Sequence, residues 1–190
     1  LEALLVSTGV VALAEIGDKT QLLALVLAAR FQKPLPIVLG ILVATIVNHA
    51  LAGAVGSWVA ATVGPATMRW VLGGSFLAMA VWTLIPDRLD DPQSAGTPKL
   101  GVFLTTLIAF FVVEMGDKTQ IATVALAAKY ASLAAVVAGT TAGMMLANVP
   151  AVLLGDVAAH RLPLKLVRGV AAAIFAVLGA LVLAGVGQAA

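Results

Sequence analysis

The chain alternates long apolar runs with short polar interruptions, and the runs have the length of membrane crossings. Apolar stretches cover about residues 3–29, 35–61, 66–85, 100–128, 131–158 and 164–186. Each is near or above the roughly 20 residues a helix needs to cross a hydrocarbon core of about 30 Å. The interruptions carry turn chemistry: Arg30-Phe31-Gln32-Lys33-Pro34 after the first run, Gly64-Pro65 after the second, Pro86 after the third. Residues 86–99, with Asp90-Asp91-Pro92 and Gly96-Thr97-Pro98, form the one polar stretch of any length and predict a linker. The pattern predicts an all-α membrane protein with six transmembrane helices.

Two of the runs are polar at their centres. Glu15-Ile16-Gly17-Asp18-Lys19-Thr20 and Glu114-Met115-Gly116-Asp117-Lys118-Thr119 are each followed by a glutamine, Gln21 or Gln120. They begin at positions 15 and 114, an offset of 99 residues. At the same offset Ala28-Ala29-Arg30-Phe31 answers Ala127-Ala128-Lys129-Tyr130, and Gly40, Gly56, Arg69 and Phe76 answer Gly139, Gly155, Arg168 and Phe175. Three spans per half is an odd number, so the second half enters the membrane in the opposite sense. The expectation is two inverted three-helix repeats, 1–85 and 100–190, joined by the 86–99 linker in one integral membrane domain.

Composition agrees. The chain is 62% hydrophobic and 11% charged, against about 45–50% and 25% in soluble domains. A net charge of +2 from so few charges reads as a loop bias and not as a nucleic-acid footprint. Arg30, Lys33, Arg88, Lys99, Arg161, Lys165 and Arg168 collect on one side; Arg69 and Lys129 lie on the other. That bias puts the linker in the cytoplasm and both termini outside. Trp58 and Trp70 then fall near the outer interface and Trp82 near the inner one, as anchors. The absence of cysteine excludes disulfides and thiolate metal sites. The first run lacks a basic n-region and carries charges at its centre, unlike a signal peptide.

Each charge at membrane depth costs roughly 2.5–3.5 kcal/mol on insertion scales, so the two polar stretches are functional candidates. At 100° per residue, Glu15 and Asp18 lie about 60° apart on one helix face, as do Glu114 and Asp117. If the first and fourth helices cross there, four carboxylates converge. Such oxygens suit Mg²⁺, Ca²⁺ and Mn²⁺. Thr20, Thr119, Gln21 and Gln120 could add neutral oxygens. Gly17 and Gly116 allow close approach or a local opening that frees a carbonyl. Lys19 and Lys118 balance charge: with the four carboxylates they sum to −2, which one divalent cation cancels. When the ion leaves, protons take its place, the core of an antiporter.

The structural alternative is a pair of local i,i+4 ion pairs, Glu15–Lys19 and Glu114–Lys118, which leaves Asp18 and Asp117 unmatched. Asn48, His49 and Asn148 fall near mid-span, and the offset makes His49 the counterpart of Asn148. They are candidate ligands, groups that hold the ligands in place, or interhelical hydrogen-bond partners, with His49 the softer donor that could favour Mn²⁺ over Ca²⁺. Pro150 has Leu51 as its counterpart and marks a kink or hinge in the fifth span only. Asp156 and His160 line an exit path or are solvated helix-end residues. Gly139-xxx-Gly143 and Gly40-xxx-Ala44 are close-packing faces.

The paired Glu-x-Gly-Asp-Lys-Thr stretches, in the first and fourth of six spans, resemble the signature of the calcium/manganese cation–proton antiporter family. That family includes bacterial manganese exporters and Golgi and chloroplast-membrane relatives in eukaryotes, and the resemblance covers essentially the whole chain. It implies that Glu15, Asp18, Glu114 and Asp117 bind the cation. It also implies a secondary transporter, not an enzyme, with no cofactor, that exports Mn²⁺ across the cell (inner) membrane in exchange for protons. Ca²⁺ is the alternative cargo. The short linker and the lack of a targeting extension look like a bacterial member. From a different class, an intramembrane metal-dependent lipid phosphate hydrolase could use clustered carboxylates. It would need arginines beside the metal, and none is expected at membrane depth. A cation channel is a third option.

Overall fold

The computed structural model describes residues 1–85, 101–154 and 164–185. Among them eight helices form and no strand: α1 (Glu2–Glu15), α2 (Lys19–Phe31), α3 (Pro34–Thr62), α4 (Pro65–Thr83), α5 (Gly101–Glu114), α6 (Lys118–Lys129), α7 (Leu133–Leu154) and α8 (Leu164–Leu183). The 86–99 linker, Gly155, Asp156 and His160 lie outside the described residues. Among the described residues three stretches are long and apolar enough to cross a membrane: Pro34–Thr62, Leu133–Leu154 and Lys165–Leu183. The expected first and fourth spans are not continuous helices. Each is cut at its polar centre, into α1 and α2 by residues 16–18 and into α5 and α6 by residues 115–117.

The cut has a backbone cause. Gly17 has φ 78° and Gly116 φ 75°, a left-handed conformation that a Cβ disfavours and that ends a right-handed helix. Glu15 and Asp18 therefore do not share one helix face, as constant 100° spacing predicts. Glu15 is the last residue of α1 and Asp18 the N-cap of α2. Glu114 and Asp117 repeat that arrangement.

The broken elements are gripped by the unbroken ones. α1 packs along α7, and α5, its counterpart at the 99-residue offset, along α3. Small residues make both approaches possible. A Cβ at Gly143 would lie 2.6 Å from the Thr8 carbonyl oxygen, and one at Gly40 would lie 2.8 Å from the Phe103 carbonyl oxygen. The close-packing faces read from the sequence thus meet backbone directly. α4 packs against α8, where Phe76 and Phe175 stack with centroids 6.4 Å apart. Pro150 lies inside α7, where it cannot donate to the Leu146 carbonyl. Trp58 and Trp70 are exposed near the α3–α4 connection, where indoles can anchor at an interface, and Trp82 is half-buried.

One feature departs from the repeat. α4 also packs on α6, and α8 on α1, but neither makes a comparable interface with α2 or α5 among the described residues. Applied to these two pairs, the offset would match α4–α6 with α8–α2, and α8–α1 with α4–α5. The halves are similar in sequence and differ in how their last helix docks.

The glycine contacts give a paired test. Gly143→Val should overpack the α1–α7 contact and cost about 1–3 kcal/mol or more. Gly9→Ala, at a position with nothing within 4 Å of the added Cβ, should be neutral or stabilising by about 1 kcal/mol. Melting curves of the purified variants in detergent check both, and equal melting temperatures would contradict the packing described.

Candidate cation site

The two breaks create the site because each turns a helix end toward the other half. At the first, the Asp18 side chain accepts from the Thr20 amide (3.4 Å), and the Gly17 amide donates to Gln21 Oε1 at 2.8 Å. At the second, Asp117 accepts from the Thr119 amide (3.4 Å), and the Gly116 amide donates to Gln120 Oε1 at 2.7 Å. An aspartate N-cap satisfies one orphan donor and suits the positive end of the helix dipole at α2 and α6. Glu15 and Glu114 end α1 and α5, where the negative end of the helix dipole favours a cation.

Three carboxylates meet. One oxygen from each of Glu15, Glu114 and Asp117 lies within 4.8 Å of the others, and all three residues are buried. Asp18, also buried, is not in that group. It pairs instead with the ammonium of Lys118. Lys19 Nζ makes the reciprocal contact, 2.9 Å from Asp117 Oδ1. The ion pairs therefore cross between the halves and are not the local i,i+4 pairs weighed from the sequence. A break replaces the helical turn that would have brought Lys19 under Glu15. Each aspartate has a lysine, contrary to the expectation that both stand unmatched.

The remaining polar residues support the carboxylates. Thr20 Oγ1 donates to Glu15 and Thr119 Oγ1 to Glu114. Glu15 Oε1 and Glu114 Oε2 are buried without a hydrogen-bond partner. Gln21 and Gln120, predicted as ligand oxygens, spend their oxygens on the glycine amides. Their nitrogens tie the breaks to the long helices: Gln21 Nε2 to the Ala147 carbonyl at 3.1 Å, Gln120 Nε2 to Asn48 Oδ1 at 2.6 Å. Asn48 Nδ2 also donates to the Phe111 carbonyl at 3.3 Å. Asn148 donates to the Met144 carbonyl at 3.1 Å, and its Oδ1 has no partner. His49 is buried with both ring nitrogens unpartnered, and it lies outside the carboxylate group.

Sequence reasoning missed one contact. Arg168, counted among the loop charges, donates from Nη2 to the Gly17 carbonyl at 3.0 Å. The expectation that no arginine approaches the site is thereby corrected. Its guanidinium is bound to backbone. The signal was present in the pairing of Arg69 with Arg168 at the repeat offset.

The crossed ion pairs should dominate local stability. Lys118 is buried, so Lys118→Met leaves Asp18 buried without its ammonium, at an expected cost of about 3–5 kcal/mol. Adding Asp18→Asn should recover most of the loss. Lys19 has a side chain 23% exposed, so solvent screening makes Lys19→Met milder. Thermal denaturation of the single and double variants checks the order, and equal losses for the two lysines would contradict it.

The sequence profile of the divalent cation/proton antiporter GDT1 matches residues 3–91 and 102–189, once over each half. A Vibrio cholerae protein named "Putative manganese exporter" is 53% identical over 176 residues, covering 92% of this chain and 87% of that protein. GDT1-like protein 3 from two rice subspecies, Oryza sativa indica and japonica, is 26% identical over 199 residues, covering 92% of this chain and 71% of theirs. No solved structure matches. The twin matches and the Vibrio relative identify the chain as a member of the GDT1 divalent cation/proton antiporter family, whose members are transporters.

Proposed function

We propose that the protein exports Mn²⁺ from the cytoplasm in exchange for protons, through a mid-membrane site built by the two breaks. The observation that carries this reading is the buried convergence of Glu15, Glu114 and Asp117 from opposite halves. The name of the Vibrio relative supports manganese as cargo, with Ca²⁺ the alternative ion for the same oxygen donors. The donors are Glu15, Asp18, Glu114 and Asp117, with His49 and Asn148, both buried, as the residues that shape selectivity.

Charge balance supplies the exchange. Lys118 neutralises Asp18 and Lys19 neutralises Asp117, leaving the two glutamates as the uncompensated charge. One divalent cation cancels that charge, and so do two protons. Metal arrival also competes with the lysines for the aspartates, so Lys19 and Lys118 act as tethered stand-ins for the cargo. The architecture proposed for this cycle is six spans in two inverted repeats, 1–85 and 100–190. The linker is cytoplasmic, both termini lie outside, and the protein sits in the cell (inner) membrane. The loop charge bias supports that orientation. A hydrolase reading has less support, because the family transports cations and Arg168 is engaged by a carbonyl.

The test is flux in proteoliposomes. Mn²⁺ uptake should rise with an opposing proton gradient and need no added phosphate substrate. Asp117→Asn or Glu114→Gln should abolish it, because each removes a buried carboxylate charge from the site. Near-wild-type flux in either variant would refute the site, and flux indifferent to the gradient would favour a channel. In the cysteine-free chain, single cysteines at Gln32 and Gly101 should label from the same side of the membrane, and labelling from opposite sides would refute the inverted arrangement.

A further inference from the structure

The two breaks are near copies in their capping and differ in what meets the glycine carbonyl. Both have a left-handed glycine, an aspartate N-cap, a glutamine on the glycine amide and a threonine on the glutamate. At the first break Arg168 also takes up the Gly17 carbonyl (3.0 Å), and Gly17 is buried. At the second break no described residue donates to the Gly116 carbonyl, and Gly116 and Met115 are exposed. The donor expected by the repeat is Arg69, which precedes Arg168 by the same 99 positions that separate Gly17 from Gly116.

Arg69 is elsewhere. Its guanidinium carbon lies 5.6 Å from the centroid of the Trp70 ring, and its buried Nε has no hydrogen-bond partner. Nη1 lies 3.7 Å from where a Cβ on Gly185 would stand, beside the end of α8. A half-buried guanidinium with a buried unsatisfied donor is costly, and the exposed Gly116 carbonyl lacks, among the described residues, the protein donor that Gly17 has. The helix docking is uneven too: α8 packs on α1, which carries Glu15, whereas α4 packs on α6 and makes no comparable interface with the Glu114-bearing α5.

We infer that Arg168 and Arg69 are a pair of positioning residues used in turn, each capping the glycine carbonyl of the opposite half's break in one of two conformations. In the conformation seen, Arg168 ties α8 to the first break and Arg69 waits. In the other, Arg69 ties α4 to the second break and Arg168 is released. The exchange leaves the number of capped carbonyls unchanged, so the two conformations stay close in energy, as a transport cycle requires. It also re-aims one glutamate-bearing helix end at a time. This inference rests on the transport reading for its purpose, but its geometry can be tested without flux.

The experiment is double electron–electron resonance in lipid nanodiscs, using spin labels on cysteines at Ala29 and Lys165 in one set and Ala66 and Ala128 in the other. The sets are repeat counterparts. R168Q should deplete the main Ala29–Lys165 population about tenfold relative to the alternative, the worth of one charge-assisted hydrogen bond. R69Q should shift the same equilibrium the opposite way, and R168K, which keeps a donor, should restore part of the main population. If R168Q does not fold, R69Q and R168K carry the test. An unchanged distribution, or shifts of R168Q and R69Q in the same direction, would overturn the inference. Opposed shifts in a protein that moves neither Mn²⁺ nor Ca²⁺ would sustain it while refuting the proposed transport.

Discussion

A helix that stops inside an apolar bundle leaves N–H and C=O groups that the protein itself must satisfy. The rest of this structure follows from doing so twice. Left-handed Gly17 and Gly116 end α1 and α5, and the amides they free are taken by Gln21 and Gln120. The same two glutamines reach Ala147 on α7 and Asn48 on α3, which locks each break to a long helix of the other half. Glycine faces on α3 and α7 let those helices come close enough for this to work. Packing, capping and the carboxylate cluster are thus one construction.

Much of this was legible in the residues. The doubled motif, the 99-residue offset and the small-residue faces at Gly40, Gly139 and Gly143 can be read directly, because each is a local pattern with a fixed structural meaning. The break was harder to see. Helical spacing predicts Glu15 and Asp18 on one face, and only the positive φ of Gly17 tells that the helix has ended between them. The crossed lysine–aspartate pairs were illegible for the same reason. Once the turn is lost, Lys19 no longer lies one turn from Glu15, and its partner is set by tertiary approach. Arg168 looked like a loop charge because its Cα is near a helix start, and the reach of a long side chain is not a sequence property.

The electrostatic design separates two tasks. The aspartates cap helix N-termini and are held by lysines from the opposite half, which fixes the halves against each other. The glutamates sit at helix C-termini, each held by one threonine and each with a buried oxygen otherwise unpartnered. Under the proposed reading, a cation entering between them meets the two glutamates directly and reaches the aspartates by displacing their lysines. Protons can satisfy the same oxygens. On the proposed reading the site holds one or the other, in a bundle whose two last helices dock unequally.

The central claim is that metal and protons compete for Glu15 and Glu114. Calorimetric titration of the purified protein with Mn²⁺, in buffers of different ionisation enthalpy, tests it most directly. Metal binding to carboxyl groups that carry protons must release them. The account predicts release approaching two protons per ion at the acidic end of the range in which the protein is stable, weaker binding as pH falls, and loss of both effects in a Glu15→Gln, Glu114→Gln variant. Tight Mn²⁺ binding with no proton release at any pH would contradict it.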